Sequence, residues 1–378
     1  MTSATLSARE RAVHVVWSDG EDARFPFIWL RDNCPSGFHP QTQERTFDLT
    51  SVRADIAPKE VRAGNGAVEI TWPDGHRSLF DAGWLHDHRP GVRMPDPADI
   101  PPLAWRRELG ASGIPRAGAD DVMASDDALL DWLVRTRIYG LSIVEGIADS
   151  VAAGMAIARR IGFLRETNFG VDFQVVSKPD PNNLAYTAHR LPLHTDLTNQ
   201  ELPPGFQFLH CLANEATGGG SLFCDGFAIA EDIRAQDADA FDLLSTVSVP
   251  FRFHDADTDI RCRRCVLELD EAGNVAGINF NAHLADIFDL PADLMERYYR
   301  AYRLFMVMSR DDAYLVTLKL KGGEMVVFDN RRVLHGRDAF DPATGFRHLN
   351  GCYVDRGDFD SCIRVLSRAR GMAAQAAE

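Results

Sequence analysis

With 378 residues, 45% of them apolar, and a formal net charge of −15, the chain is long enough for two domains and too acidic for a phosphate-backbone partner. No apolar run approaches a bilayer span, residues 1–10 carry no secretory apolar core, and seven cysteines do not make a secreted disulfide framework. The expectation is a soluble cytoplasmic protein with neither nucleic-acid nor membrane partners.

In chain order, a small β-rich domain is expected over 1–95. Residues 13–17 and 23–27 alternate as two strands around Ser18-Asp19-Gly20-Glu21, and 68–72 and 77–80 repeat the pattern around Pro73-Asp74-Gly75. Residues 96–125, rich in Pro, Gly and Asp, read as a linker anchored by Trp105. A helix over 126–137 turns Leu129, Leu130, Trp132 and Leu133 inward; a strand at 140–144 and a helix at 151–161 follow. Residues 183–280 are strand-rich with turns at intervals, as an antiparallel double-sheet barrel requires, with helical patches near 228–233 and 238–244. A helix over 292–309 carries the stripe Leu294, Tyr298, Tyr302, Phe305 and Met306, and a last helix spans 359–370. The expected fold class is mainly β with flanking helices: a double-stranded β-helix (jelly-roll) catalytic domain over 126–378, plus the small N-terminal β-rich domain.

Chemistry concentrates in two stretches. In a strand, side chains at i and i+2 share one side, so His194 and Asp196 of His194-Thr195-Asp196 can converge on one ion. His335 would close the set from another strand, after the apolar run 325–328 and the turn Asp329-Asn330. Two imidazoles and one carboxylate hold non-haem iron(II) on one face and leave the other open, for a keto acid and O2. Further on, Arg347 is a fixed cation able to grip a carboxylate bidentately, and Ser221, after Gly218-Gly219-Gly220, can add a hydroxyl. This is the layout of a 2-oxoglutarate-dependent oxygenase. The plain alternatives are satisfied histidines, a surface ion pair for Arg347 and turn chemistry for Ser221.

His194-Thr195-Asp196, Gly218-Gly219-Gly220-Ser221, Phe328-Asp329-Asn330 and Leu334-His335-Gly336-Arg337, with Trp29-Leu30-Arg31-Asp32-Asn33-Cys34, resemble the γ-butyrobetaine dioxygenase family. The His-Thr-Asp and His-Gly-Arg segments are similar to the wider taurine dioxygenase-like superfamily. The N-terminal segment narrows the resemblance to a branch that includes trimethyllysine dioxygenases. It implies hydroxylation of the carbon chain of a trimethylammonium substrate, γ-butyrobetaine to L-carnitine, often by a homodimer. The alternatives are 2-trimethylaminoethylphosphonate or another quaternary-amine acid and, from another class, a non-catalytic metal- or ligand-binding barrel.

The resemblance also implies an aromatic cage at Phe169, Phe173, Tyr186 and Tyr353, with Asn183 at the substrate's anionic end. A quaternary ammonium has no N–H to donate, so aromatic faces must recognise it. Ala282 stands where the family has a second Asn, and Leu197 where a Tyr often follows the triplet. Family members commonly bind structural zinc through three cysteines and a distant histidine. Here Cys34 and His76 match, Ser36 replaces a cysteine and His39 is the remaining candidate, one short of the four donors such a site needs. Zinc is therefore not expected.

Overall fold

Alternating apolar positions build the first unit, Met1–Asp96, of this computed structural model, which describes residues 3–176 and 187–377, with side chains to 372. Strands β1 (Ser3–Ser7), β2 (Ala12–Val16) and β3 (Asp22–Pro26) form one meander, followed by α1 (Phe27–Asp32). A second meander, β4 (Glu60–Gly64), β5 (Ala67–Thr71) and β6 (Arg77–Asp81), is followed by α2 (Ala82–Asp87). Alternating side chains of the central strands β2 and β5 are buried, Val13 and Val15, then Val68 and Ile70, joined by Phe25 of β3 and Phe80 of β6 around Trp17, Leu30, Trp72 and Leu85. The outer strands β1 and β4 lie mostly exposed and carry no apolar alternation, which is why periodicity alone does not reveal them.

The second unit, Pro97–Glu378, is mixed β/α, with more helix than the expected mainly-β domain. It opens with α3 (Gly110–Gly113), β7 (Arg116–Gly118) and α4 (Ala119–Ala124). The stretch expected as a linker carries structure of its own, since β7 joins a sheet edge parallel to its neighbour; Trp105, expected as its anchor, is buried, its backbone N–H donating to Asp225. Next come α5 (Asp126–Tyr139), β8 (Leu141–Glu145), α6 (Val151–Ile161) and β9 (Asp172–Val175). The Ser125 hydroxyl caps α5 at the Ala128 N–H, and Gly140, at φ +67°, ends it in the left-handed region that glycine tolerates.

Beyond lie β10 (Leu191–His194), β11 (Phe206–Asn214), β12 (Thr217–Gly218), β13 (Ser221–Asp225), α7 (Gly226–Gln236) and α8 (Ala238–Thr246). Two hairpins follow, β14 (Val249–His254) with β15 (Asp259–Arg264), and β16 (Leu267–Leu269) with β17 (Val275–Ile278). The chain closes with α9 (Ala292–Met308), β18 (Val316–Leu318), β19 (Met325–Asp329), β20 (Val333–Arg337), β21 (Phe340–Asp341), β22 (Arg347–Val354) and α10 (Arg356–Ala377). Among the described residues no helix is long and apolar enough to cross a membrane.

Two sheets position the chemistry. A six-stranded sheet runs β7-β8-β19-β11-β22-β9, and a four-stranded sheet runs β10-β20-β13-β18. One apolar cluster draws on both, with Leu141, Ile143, Cys211, Val326, Phe328 and Leu349 from the larger and Phe223, Val316, Leu318 and Val333 from the smaller. The period of two fixes what else faces that shared interior. On β20 it is His335 and Arg337, two and four residues beyond Val333; on β13 it is Ser221 beside Phe223; on β22 it is Arg347, Gly351 and Tyr353, in step with Leu349. The opposite face of the larger sheet meets the helices through Phe206, Phe208, Met325, Val327, Cys352 and Val354.

Candidate active site

β10 and β20 pair antiparallel with His194 and His335 as direct partners, their rings 4.3 Å apart. The close approach depends on Gly336, where a Cβ would stand 2.6 Å from Leu191 O and 3.2 Å from Leu193 N. Asp196 arrives differently from expected. β10 ends at His194, and Asp196 lies in a turn, so strand periodicity is not what aims its carboxylate. Even so, Asp196 Oδ1 lies 3.2 Å from His194 Nε2 and 3.7 Å from His335 Nε2. These three residues form the one group of three or more potential metal-ligating side chains among the described residues, with ligand atoms within 4.8 Å of one another.

The donor chemistry fits a divalent metal. His194 Nδ1 lies 2.8 Å from Pro192 O; donating its proton there leaves Nε2 free to ligate. Burial pushes the His335 imidazole down to about 3, and neighbouring His194 adds to the fall, so this ring is neutral at ordinary pH. Burial alone would raise the Asp196 carboxyl. The two imidazoles beside it and the Tyr353 hydroxyl, which donates to Oδ2 at 2.7 Å, instead hold it well below the usual carboxylate range. Neutral imidazole and ionised carboxylate are the states a metal requires. Two nitrogens and one oxygen are the donor set that suits non-haem iron(II).

The backbone around Asp196 is bound from three sides. The Thr195 N–H donates to Phe280 O (2.7 Å), and the Asn281 side chain donates to Thr195 O (3.1 Å). Asn330 accepts from the Asp196 N–H (2.7 Å) and donates to Asp196 O (3.1 Å). The sequence shows Asn330 only as part of a turn and of the Phe328-Asp329-Asn330 segment, and the hold of either asparagine on Thr195 or Asp196 is hidden because each acts on a residue far away in the chain. His283, its ring centroid 5.9 Å from that of His194, is held neutral: burial and His194 push it down to about 4.

Arg347 begins β22 and is buried, with 6% of its surface exposed. No carboxylate lies within ion-pair distance of it among the described residues, and its Nε has no hydrogen-bond partner. Burial pushes its guanidinium down to about 10, helped by Arg337, and both cations lie over the Phe340 ring, at 5.6 and 4.9 Å. Ser221 is buried on β13, directly across from Arg337.

Of the expected cage, Phe173 and Tyr353 meet, with ring centroids 5.2 Å apart. Gly351 lies under the pair; a Cβ there would overlap the Phe173 ring. Phe169 packs edge-on against Phe253 at 5.3 Å, a contact the sequence did not suggest. Tyr186 and Asn183 lie outside the described residues. In the N-terminal unit, Cys34 Sγ sits 3.3 Å from His76 Nε2 and 3.2 Å from Ser36 Oγ, while His39 Nδ1 accepts from the Thr42 N–H in its own turn. Cys34 and His76 supply two nitrogen or sulfur donors, so the residues present do not fit a four-ligand zinc site.

Comparison with known proteins agrees with this geometry. Residues 100–353 match "Taurine catabolism dioxygenase TauD, TfdA family", and residues 4–86 match "Gamma-butyrobetaine hydroxylase-like, N-terminal". The chain is 43% identical to the gamma-butyrobetaine dioxygenase of Pseudomonas sp. (strain AK-1) over 97% of its length and 96% of that protein. It is 32% identical to the Homo sapiens gamma-butyrobetaine dioxygenase (94% of each chain) and 33% identical to the mitochondrial trimethyllysine dioxygenase of Gallus gallus (91% of this chain, 83% of that one). A paired His-Asp-His cluster in the matched region and near-full-length relatives together place the chain in the TauD/TfdA family of iron(II)- and 2-oxoglutarate-dependent dioxygenases, in the branch with a gamma-butyrobetaine hydroxylase-like N-terminal domain.

Proposed function

We propose that this enzyme hydroxylates the carbon chain of a small trimethylammonium acid, with γ-butyrobetaine converted to L-carnitine as its reaction. Tyr353 carries the reading: its ring lies 5.2 Å from that of Phe173, while its hydroxyl bonds Asp196 of the metal-ligand set. A methylated cation seated on these aromatic faces is within side-chain reach of the metal. Two relatives named gamma-butyrobetaine dioxygenase, matched almost end to end, support the same substrate. The resemblance assigns Phe169, Tyr186 and Asn183 to the pocket as well.

Bound iron(II), with 2-oxoglutarate and O2, supplies the oxidant for C–H hydroxylation. The chain's own residues do the rest. Arg347 grips the far carboxylate of 2-oxoglutarate, supported by its burial without an anionic partner among the described residues, and Ser221 adds a hydroxyl donor. The six- and four-stranded sheets, sharing one core, support a double-stranded β-helix that walls the site off from bulk water. The same reading makes the enzyme a cytoplasmic homodimer.

The test is a turnover panel with iron(II), 2-oxoglutarate and, in turn, γ-butyrobetaine, trimethyllysine, 2-trimethylaminoethylphosphonate and taurine. Product and succinate should form together, and fastest with γ-butyrobetaine. A preference for the phosphonate would move the assignment to that substrate, and consumption of 2-oxoglutarate that no quaternary amine stimulates would overturn it.

A further inference from the structure

We infer that Asn330 is the positioning residue that aims the Asp196 carboxylate at the metal before the metal arrives. The inference rests on His194, Asp196 and His335 being the metal ligands, and not on which substrate is hydroxylated.

Asp196 lies outside its strand, so no ladder fixes its backbone. The next residue, Leu197, is buried and held at φ +55°, a conformation that residues other than glycine and asparagine rarely keep. Left to itself, this turn would relax and swing the carboxylate away from the imidazoles. Phe280 and Asn281 hold the preceding residue, Thr195, but the peptide groups of Asp196 itself are held by one fully buried side chain. Asn330 Oδ1 accepts the Asp196 N–H at 2.7 Å, and Asn330 Nδ2 donates to Asp196 O at 3.1 Å and to Pro204 O at 3.2 Å. The primary amide therefore satisfies both peptide groups of the ligand residue, as a neighbouring strand would. It also ties down the far end of the loop that returns to β11.

The clamp is only as good as its base, and that base is rigid. Asn330 sits in the turn between β19 and β20, and its neighbours bolt this turn outward in separate directions. Asp329 accepts two bonds from Arg356 at 3.1 and 2.8 Å. Arg331 pairs with Glu268, and Arg332 makes a buried bidentate pair with Asp225 at 3.1 and 2.8 Å. The strand that leaves this turn carries His335. One anchored turn thus sets the backbone of one ligand and leads directly to another.

The test uses the full chain stripped of metal, with Co(II) as a spectroscopic probe and no substrate. Asn330→Asp keeps the shape and one acceptor oxygen but turns a second oxygen towards two carbonyls, and Asn330→Ala removes all three bonds. Each should weaken Co(II) binding by about 10–100-fold and shift the Co(II) absorption bands, the usual scale for an outer partner of a metal ligand. A merely structural role predicts a lower melting temperature with the bands and affinity of the folded protein intact. Binding by folded variants within about threefold of the parent would therefore overturn the inference. Should neither variant fold, hydrogen exchange on the unsubstituted, metal-free chain decides. The Asp196 amide should be as protected as those of β11, and exchange at the rate of an open turn would overturn the inference.

Discussion

Replacing Gly351 by alanine should damage the recognition of the ammonium group and little else. The added methyl would overlap the Phe173 ring and stand 3.0 Å from Leu209 Cδ2. Gly351 cannot yield, because its strand is paired on both sides, with β11 and β9. Phe173 can, because it sits on β9 at the end of the sheet and is only partly buried. The ring should swing outward at a cost near the low end of overpacking, about 1 kcal/mol of stability. Its contact with Tyr353 would then be lost. One aromatic face contributes about 1–2 kcal/mol to holding a desolvated cation, so the KM for γ-butyrobetaine should rise roughly 5–30-fold. The KM for 2-oxoglutarate should stay within about twofold, since Arg347 is untouched. Steady-state assays varying each substrate, with a melting curve, read all three quantities. An unchanged KM for γ-butyrobetaine, or equal rises in both, would refute the assignment of the Phe173–Tyr353 pair to the cation.

Arg347→Met should raise the KM for 2-oxoglutarate by roughly 10–150-fold, the worth of charge-assisted hydrogen bonds. The melting temperature of the enzyme free of cosubstrate should not fall, because no carboxylate among the described residues is left unpaired. A fall of several degrees would instead reveal a structural role. Gly336→Ala sets a methyl against the backbone of β10, where no side chain can give way, so urea unfolding should show a loss of about 2–3 kcal/mol together with weaker metal binding. Native-like stability would remove close strand approach from the account of the site. The metal-free protein should also lose stability as pH falls. Folded His335 stays neutral down to about 3, while in the unfolded chain its imidazole takes up a proton below its ordinary value of 6.5. The stability is therefore whole above 6.5 and is lost progressively towards 3, with His283 adding to the slope down to about 4. A urea midpoint that is flat between these limits would contradict buried, neutral imidazoles.

What the sequence disclosed follows the range of the forces involved. Hairpins with strong turns and alternating apolar residues, such as β2–β3 and β5–β6, were legible within a residue or so. So were α5 and α6, whose caps Ser125 and Ser150 stand in the sequence. Edge strands β1 and β4, which bury little, left no pattern to read. β7 was hidden in a Pro- and Gly-rich stretch, because its pairing with β8 depends on partners and not on its own three residues. His194, Asp196 and His335 were legible as residue types in a plausible order. The turn that brings Asp196 round was not, because nothing about a leucine announces φ +55° at Leu197. The double role of Tyr353, ring towards Phe173 and hydroxyl on Asp196, is likewise a property of three-dimensional neighbours.

Arg347, Gly351 and Tyr353 stand on one side of a single continuous strand, β22. Six residues of extended chain measure roughly 20 Å, so covalent geometry gauges the span between the guanidinium and the phenol. Loops elsewhere can lengthen or drift without altering that interval. A single-residue insertion within β22 would put Arg347 and Tyr353 on opposite faces of the sheet, so that one of the two turns to the helical side and is lost from the interior. Acceptance of longer or shorter substrates in this scaffold should therefore evolve by changing the bulk of side chains along the strand, while its length stays constant.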